Sequence, residues 1–113
     1  MENRELMYLA ENAKQKSYSP YSKFKVGAAL LTKDGKIYVG ANIENSSYPL
    51  TVCAERVAFF KAISEGEKEF EKIAISGSSD GFCFPCGACR QVMSEFCGKD
   101  FVIILENKEY ALL

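Results

Sequence analysis

Two short stretches constrain this chain more than anything else in it. The first is Cys53-Ala54-Glu55-Arg56 and the second is Pro85-Cys86-Gly87-Ala88-Cys89-Arg90-Gln91. Together they carry three thiols and one carboxylate. Three thiolates bind zinc well, and a fourth position left to water makes such a site catalytic rather than structural. A carboxylate beside that water can carry protons. Any fold of this chain that uses all four groups must bring residue 53 up to residues 86 and 89.

The spacing says how. Residues two apart on a helix do not share a face. Cys53 and Glu55 can therefore serve one site only at a helix end. Tyr48-Pro49-Leu50-Thr51 reads as a loop entering a helix, with Thr51 the expected N-cap. Good helix formers run from Val52 to Glu65, and Gly66 is the expected stop. Pro85 and Gly87 suit a turn into a second helix over about 87–97, whose first turn lets Cys86 and Cys89 converge on one ion. Two helix N-termini then point at the site, and their positive ends favour thiolate over thiol. Arg56 is placed to offset the net negative charge of a zinc tris-thiolate by hydrogen bonding to sulfur.

Taken singly, these residues have plainer readings. A Cys-x-x-Cys pair also serves structural and redox roles, Cys53 fits as a small buried residue, and Glu55 fits as a solvated helix glutamate. Taken jointly, with proline before the pair and Arg-Gln after it, they favour the metal site. Five cysteines without a signal peptide point the same way, since the charged N-terminus Met1-Glu2-Asn3-Arg4-Glu5 leads into a helical pattern. Cys83 is not expected to be a ligand, and Cys97 is expected to pack. The chain holds no histidine. That excludes Ser-His-Asp and Cys-His catalysis and leaves acid–base work to Glu, Asp, Lys, Tyr or a metal-bound water. A net charge of −1 argues against a nucleic-acid surface, and no apolar run approaches a membrane span. A cytoplasmic protein is expected.

In chain order, residues 2–16 read as an amphipathic helix with Leu6, Leu9, Ala10 and Ala13 on one stripe. A polar turn over residues 17–22 follows. Phe24 to Thr32 reads as a buried strand, and Lys33-Asp34-Gly35-Lys36 as a hairpin turn into a strand starting at Ile37. Alternation puts Asn42 and Glu44 on one side; that pair reads either as a site for a hydroxylated ligand or as a strand edge and turn. After the cysteine helix come a charged linker over 67–71, a strand over 72–77, a loop over 76–81, the second cysteine helix, and an apolar strand Phe101–Leu105 typical of a sheet interior. Residues 106–109 read as a turn into a fifth strand starting at Tyr110. The order predicts one α/β domain over residues 1–113, a mixed sheet of about five strands with helices on both faces.

These residues carry a resemblance. Tyr18-Ser19-Pro20-Tyr21-Ser22, Phe24-Lys25-Val26-Gly27-Ala28-Ala29, Asn42-Ile43-Glu44-Asn45 and the two cysteine stretches, in this order, resemble the small zinc-dependent cytidine deaminases of nucleoside salvage. The likeness runs from the first helix to about Leu105. It implies a three-layer α/β/α cytidine-deaminase-like fold and one zinc per chain, held by Cys53, Cys86 and Cys89. It implies Glu55 as proton shuttle, Asn42 and Glu44 on the ribose hydroxyls, Phe24 against the pyrimidine, and Ala54 among the substrate contacts. The implied reaction is hydrolytic deamination of cytidine and deoxycytidine to uridine and deoxyuridine plus ammonia. Such enzymes typically form homotetramers with sites near subunit interfaces; no nucleic acid or membrane partner is implied. The family usually continues past this chain's last residue with a short helix and an aromatic residue that closes over the base, so looser cytidine binding is expected here. Two other readings stand beside this one. One is a deaminase of another cytosine nucleoside, such as a blasticidin-type antibiotic. The other is a catalytically impaired, zinc-stabilised binding protein, against which the retained Glu55 counts.

Overall fold

The computed structural model describes residues 1–78, 87–105 and 108–111. Helix α1 spans Asn3–Ala13 and runs on into one turn of 3-10 helix over Lys14–Lys16. Strands β1 (Val26–Thr32) and β2 (Ile37–Ala41) form the hairpin. Helix α2 spans Ala54–Ser64, strand β3 Phe70–Gly77, helix α3 Gly87–Phe96, strand β4 Val102–Leu105 and strand β5 Lys108–Ala111. The sheet order is β2-β1-β3-β4-β5, with only β3 and β4 parallel. This is the expected mixed five-stranded α/β sheet.

Alternation along the strands builds two cores. Ala29 and Leu31 of β1, Ala74 of β3 and Ile104 of β4 pack with Leu6, Met7 and Ala10 of α1. Their neighbours Val26, Ala28, Leu30, Ile73, Ile75, Ile103 and Leu105 face the other way, onto Ala54, Ala58, Phe59 and Ala62 of α2 and Cys89 and Met93 of α3. The result is three layers, α1 on one face and α2 with α3 on the other. It explains why β1 carries no polar side chain before Thr32: every one of its residues is buried.

Phe59 is the centre of the larger core. It is 1% exposed and meets Phe70 edge-to-face at 5.1 Å and Phe101 at 6.0 Å. Phe59→Ala is expected to cost about 3–5 kcal/mol, read as a fall in the urea midpoint at unchanged slope. A cost below about 1 kcal/mol would show that the core refills the space.

Several boundaries differ from the sequence reading. Phe70 and Glu71 belong to β3 rather than to a linker, because the Phe70 ring is buried against Phe59. Ser76 and Gly77 pair with β1 rather than forming loop. Lys108 and Glu109 already pair with β4. Thr51 does not cap α2; the N-cap is Cys53, while Thr51 closes a 3-10 turn over Tyr48–Leu50 and its hydroxyl accepts from the Asn45 N–H at 3.1 Å. Cys97 packs as expected, partly buried against the larger core, and burial pushes its thiol pKa up to about 12.

Candidate active site

The N-terminus of α2 positions the first half of the site. Cys53 is the N-cap residue with extended backbone, and Ala54, fully buried, starts the helix. Glu55 in the first turn is 4% exposed. Burial pushes its carboxyl pKa up from 4.5 to about 7; its own backbone N–H opposes this, the Cys53 charge adds to it, and a hydrogen bond with Cys89 and the charge of Arg56 oppose it. Cys89 comes from the first turn of α3 and is fully buried. Arg56 Nη2 lies 3.6 Å from Cys53 Sγ and 3.4 Å from the Thr51 carbonyl oxygen, and Arg56 also hydrogen-bonds Cys89. Bonding to Cys53, more than any other cause, holds the guanidinium pKa above its ordinary value.

Two helix N-termini therefore converge, as the spacing predicts. They bring together Cys53, Glu55, Arg56 and Cys89. Cys86, the remaining expected ligand, lies outside the described residues, as do Cys83 and Pro85. Among the described residues no group of three or more potential ligands gathers. The chemistry of the two described thiols fits a thiolate-bound ion all the same. Both sit at helix N-termini, a guanidinium bonds both, and its Nε is buried with no hydrogen-bond partner among the described residues.

The second half of the candidate site lies where β2 ends. The Asn42 Oδ1 accepts from the Val26 N–H at 2.9 Å and the Ser17 hydroxyl at 2.5 Å, and its Nδ2 donates to the Phe24 carbonyl at 2.9 Å. Both oxygen lone pairs are thus used, and one N–H is left over among the described contacts. Glu44 Oε1 accepts from the N–H groups of Tyr21 and Ser22 at 3.0 and 3.1 Å, and Oε2 accepts from the Ser22 hydroxyl. These bonds, the Ser22 hydroxyl first, hold the Glu44 carboxyl below its ordinary pKa. Phe24 is partly buried against the larger core. So Asn42 and Glu44 do face one loop, and their bonds are those of a strand edge and turn. Each organises residues 17–26, and each keeps hydrogen-bonding capacity. Ser17 and Ser22 were not singled out from sequence. Their signal was a polar turn, which does not reveal pairing with residues more than twenty positions away.

A family model described as the cytidine and deoxycytidylate deaminase zinc-binding region matches residues 1–105. The chain belongs to this deaminase family. A cytidine deaminase of Sporosarcina psychrophila is 50% identical over 107 residues, which is 95% of this chain and 79% of the relative. The crystal structure of cytidine deaminase from Burkholderia pseudomallei superposes with a TM-score of 0.94 at 44% identity, covering 99% of this chain and 94% of that one. A blasticidin-S deaminase of Bacillus cereus is 36% identical over 94 residues, 76% of this chain and 67% of the relative. The matched region is the part of these deaminases that binds zinc, which supports zinc as the ion for the thiols.

Proposed function

We propose that this protein is a zinc-dependent cytidine deaminase that hydrolyses cytidine and deoxycytidine to the uracil nucleosides and ammonia. The observation that carries the reading is Glu55: a carboxyl buried between two cysteines at converging helix N-termini, with its pKa raised to about 7. A structural zinc site has no need of such a group. A proton shuttle does, because its pKa must lie near the working pH to take and return a proton.

Cys53, Cys86 and Cys89 would hold one zinc per chain, which supplies the Lewis acidity that makes a water nucleophilic near neutral pH. Glu55 takes one proton from the attacking water and gives it to N3 of the base as C4 becomes tetrahedral; it then carries the proton of the new C4 hydroxyl to the amino group, which leaves as ammonia as the C4 carbonyl forms. Arg56 offsets the sulfur charge. Ala54, with no side chain beyond Cβ, leaves room beside Glu55 for the base, and Phe24 lies against its face. Asn42, with one N–H left to donate, and the acceptor-only Glu44 suit a sugar hydroxyl that both accepts and donates.

The greater identity to a cytidine deaminase than to a blasticidin-S deaminase favours the ordinary nucleoside. Among the described residues no helix is long and apolar enough to cross a membrane; a cytoplasmic enzyme without membrane or nucleic-acid partners is proposed. A homotetramer is proposed as well. Ile43, Tyr48 and Leu50, 48%, 83% and 65% exposed on the segment leading into α2, support self-association next to the site.

Ammonia release from cytidine and deoxycytidine by zinc-loaded protein tests the reading. Turnover with about one zinc bound per chain is expected. Protein that binds zinc but releases no ammonia from either nucleoside overturns it.

A further inference from the structure

The loop between α1 and β1 contains a residue in an unfavourable conformation. Lys23 has φ +62, in the left-handed region that a side chain with Cβ rarely adopts. Such a backbone persists where its surroundings hold it. Here the ties lie on both sides. The Lys23 N–H donates to the Ser19 carbonyl at 3.0 Å. Just before it, the Tyr21 and Ser22 N–H groups donate to Glu44. Just after it, the Phe24 N–H donates to Ser22 Oγ at 3.0 Å. The Ser22 hydroxyl in turn donates to Glu44 Oε2. One hydroxyl thus joins the carboxylate and the backbone of the aromatic residue, using its single hydrogen for the first and a lone pair for the second.

We propose that Ser22 is a positioning residue for substrate: its hydroxyl fixes the Glu44 carboxylate and the Phe24 backbone relative to each other, so that the sugar contact and the base contact are set together. This rests on the reading of Glu44 and Phe24 as substrate contacts. The bonds of Ser22 run to Glu44 and to the Phe24 N–H. Ser22 acts on how a nucleoside is bound, not on the chemical step. Its bond also favours the ionised form of Glu44, which can only accept, so the hydroxyl of the sugar must be the donor. Threonine keeps the hydroxyl; alanine removes it.

Steady-state kinetics with cytidine and 2′,3′-dideoxycytidine test this in the zinc-loaded enzyme. Ser22→Ala is expected to raise KM for cytidine about tenfold with kcat within about threefold of the parent. Ser22→Thr is expected to restore KM to within about twofold. With dideoxycytidine, which offers Glu44 no sugar hydroxyl at the 2′ or 3′ position, the alanine penalty is expected to shrink to about threefold or less. A merely structural role would penalise both substrates alike and lower the melting temperature in proportion. Unchanged kinetics in Ser22→Ala, or an equal penalty on both substrates, overturns the proposal. Glu44→Ala separates the two levels. If it leaves the preference for cytidine over dideoxycytidine intact, the assignment of Glu44 to the sugar fails. If it abolishes that preference while Ser22→Ala does not weaken it, only the role of Ser22 fails. Should Ser22→Ala not fold, Ser22→Cys replaces it, with a weaker donor and an expected intermediate KM; a parental KM in that variant counts against the proposal.

Discussion

Glu55→Gln should almost abolish deamination while making the zinc-free protein more stable above neutral pH. The two effects have one cause. Glu55 is a titratable group held in the core at 4% exposure, with its pKa raised from 4.5 to about 7. The folded protein therefore keeps the proton over a range of pH in which the unfolded chain gives it up. Below pH 4.5 both states hold the proton and the group costs nothing. As pH rises from 4.5 through about 7, the folded state binds more protons than the unfolded state, so stability falls. Above that window the loss is complete. A gap of roughly two to three pH units, at about 1.4 kcal/mol each, amounts to about 3 kcal/mol. Glutamine does not titrate. Urea unfolding of chelator-treated protein should show parent and variant converging near pH 4.5 and separating by about 3 kcal/mol at pH 8. Parallel curves across that range would mean that Glu55 is solvated in the folded state. On the zinc-loaded protein the variant should lose about a thousandfold or more in kcat, the scale of acid–base catalysis. Its zinc content should not change, since the proposed ligands are the three thiols. Normal turnover in the variant would remove Glu55 from the mechanism.

Gly40→Val should damage both stability and catalysis, although it lies on the sheet. Gly40 in β2 sits under the first turns of α2. A Cβ there would stand 2.5 Å from the Ala54 carbonyl oxygen, 2.7 Å from the Ala58 nitrogen and 3.0 Å from Val57 Cβ. The first two are backbone atoms, so the helix itself must move. Its N-terminus carries Cys53 and Glu55. Overpacking of this kind costs about 1–3 kcal/mol and sometimes more. A displacement of about 1 Å at the reacting groups can cost about a hundredfold in rate. We expect a lower melting temperature and a fall of about a hundredfold in kcat/KM, measured below the transition so that only folded enzyme is assayed. Gly27→Ala is the control. Its Cβ would meet the Ala10 carbonyl oxygen and the Lys14 nitrogen of the opposite layer. It should lower stability by a similar amount yet leave the kcat/KM of the folded enzyme within about threefold of the parent. Equal catalytic losses in both variants would show that damage to the sheet, not displacement of α2, disables the site.

The elements around the site were more legible than their edges. The hairpin at Asp34-Gly35 and the helix after Cys53 follow from local chemistry, and both form. Local chemistry failed where a distant partner outweighed it. Phe70 looked like part of a charged linker because its neighbours are charged; its ring is claimed by Phe59 and the segment joins the sheet. Thr51 is a better N-cap by type than Cys53. The helix nonetheless begins at Cys53, with Thr51 taken by the preceding turn and by Asn45.

For the site, sequence alone placed Cys53, Glu55, Arg56 and Cys89 together at helix N-termini, where the described residues put them. Residues two apart can share a site only at a helix end, so the positions of Cys53 and Glu55 already pointed to a helix N-terminus, and a missing histidine left acid–base work to Glu, Asp, Lys, Tyr or a metal-bound water. What only the tertiary structure decided is the state of those groups and the order of their surroundings. Glu55 has its raised pKa because the folded chain buries it, and no stretch of sequence contains that burial. Glu44 and Asn42 read as a ligand pair or a strand edge, and the packed chain makes them first the anchors of residues 17–26. The physical reason is the same in both cases. Spacing along a helix or strand is a local property, whereas desolvation and a hydrogen bond between residues 22 and 44 exist only once distant parts of the chain are in contact.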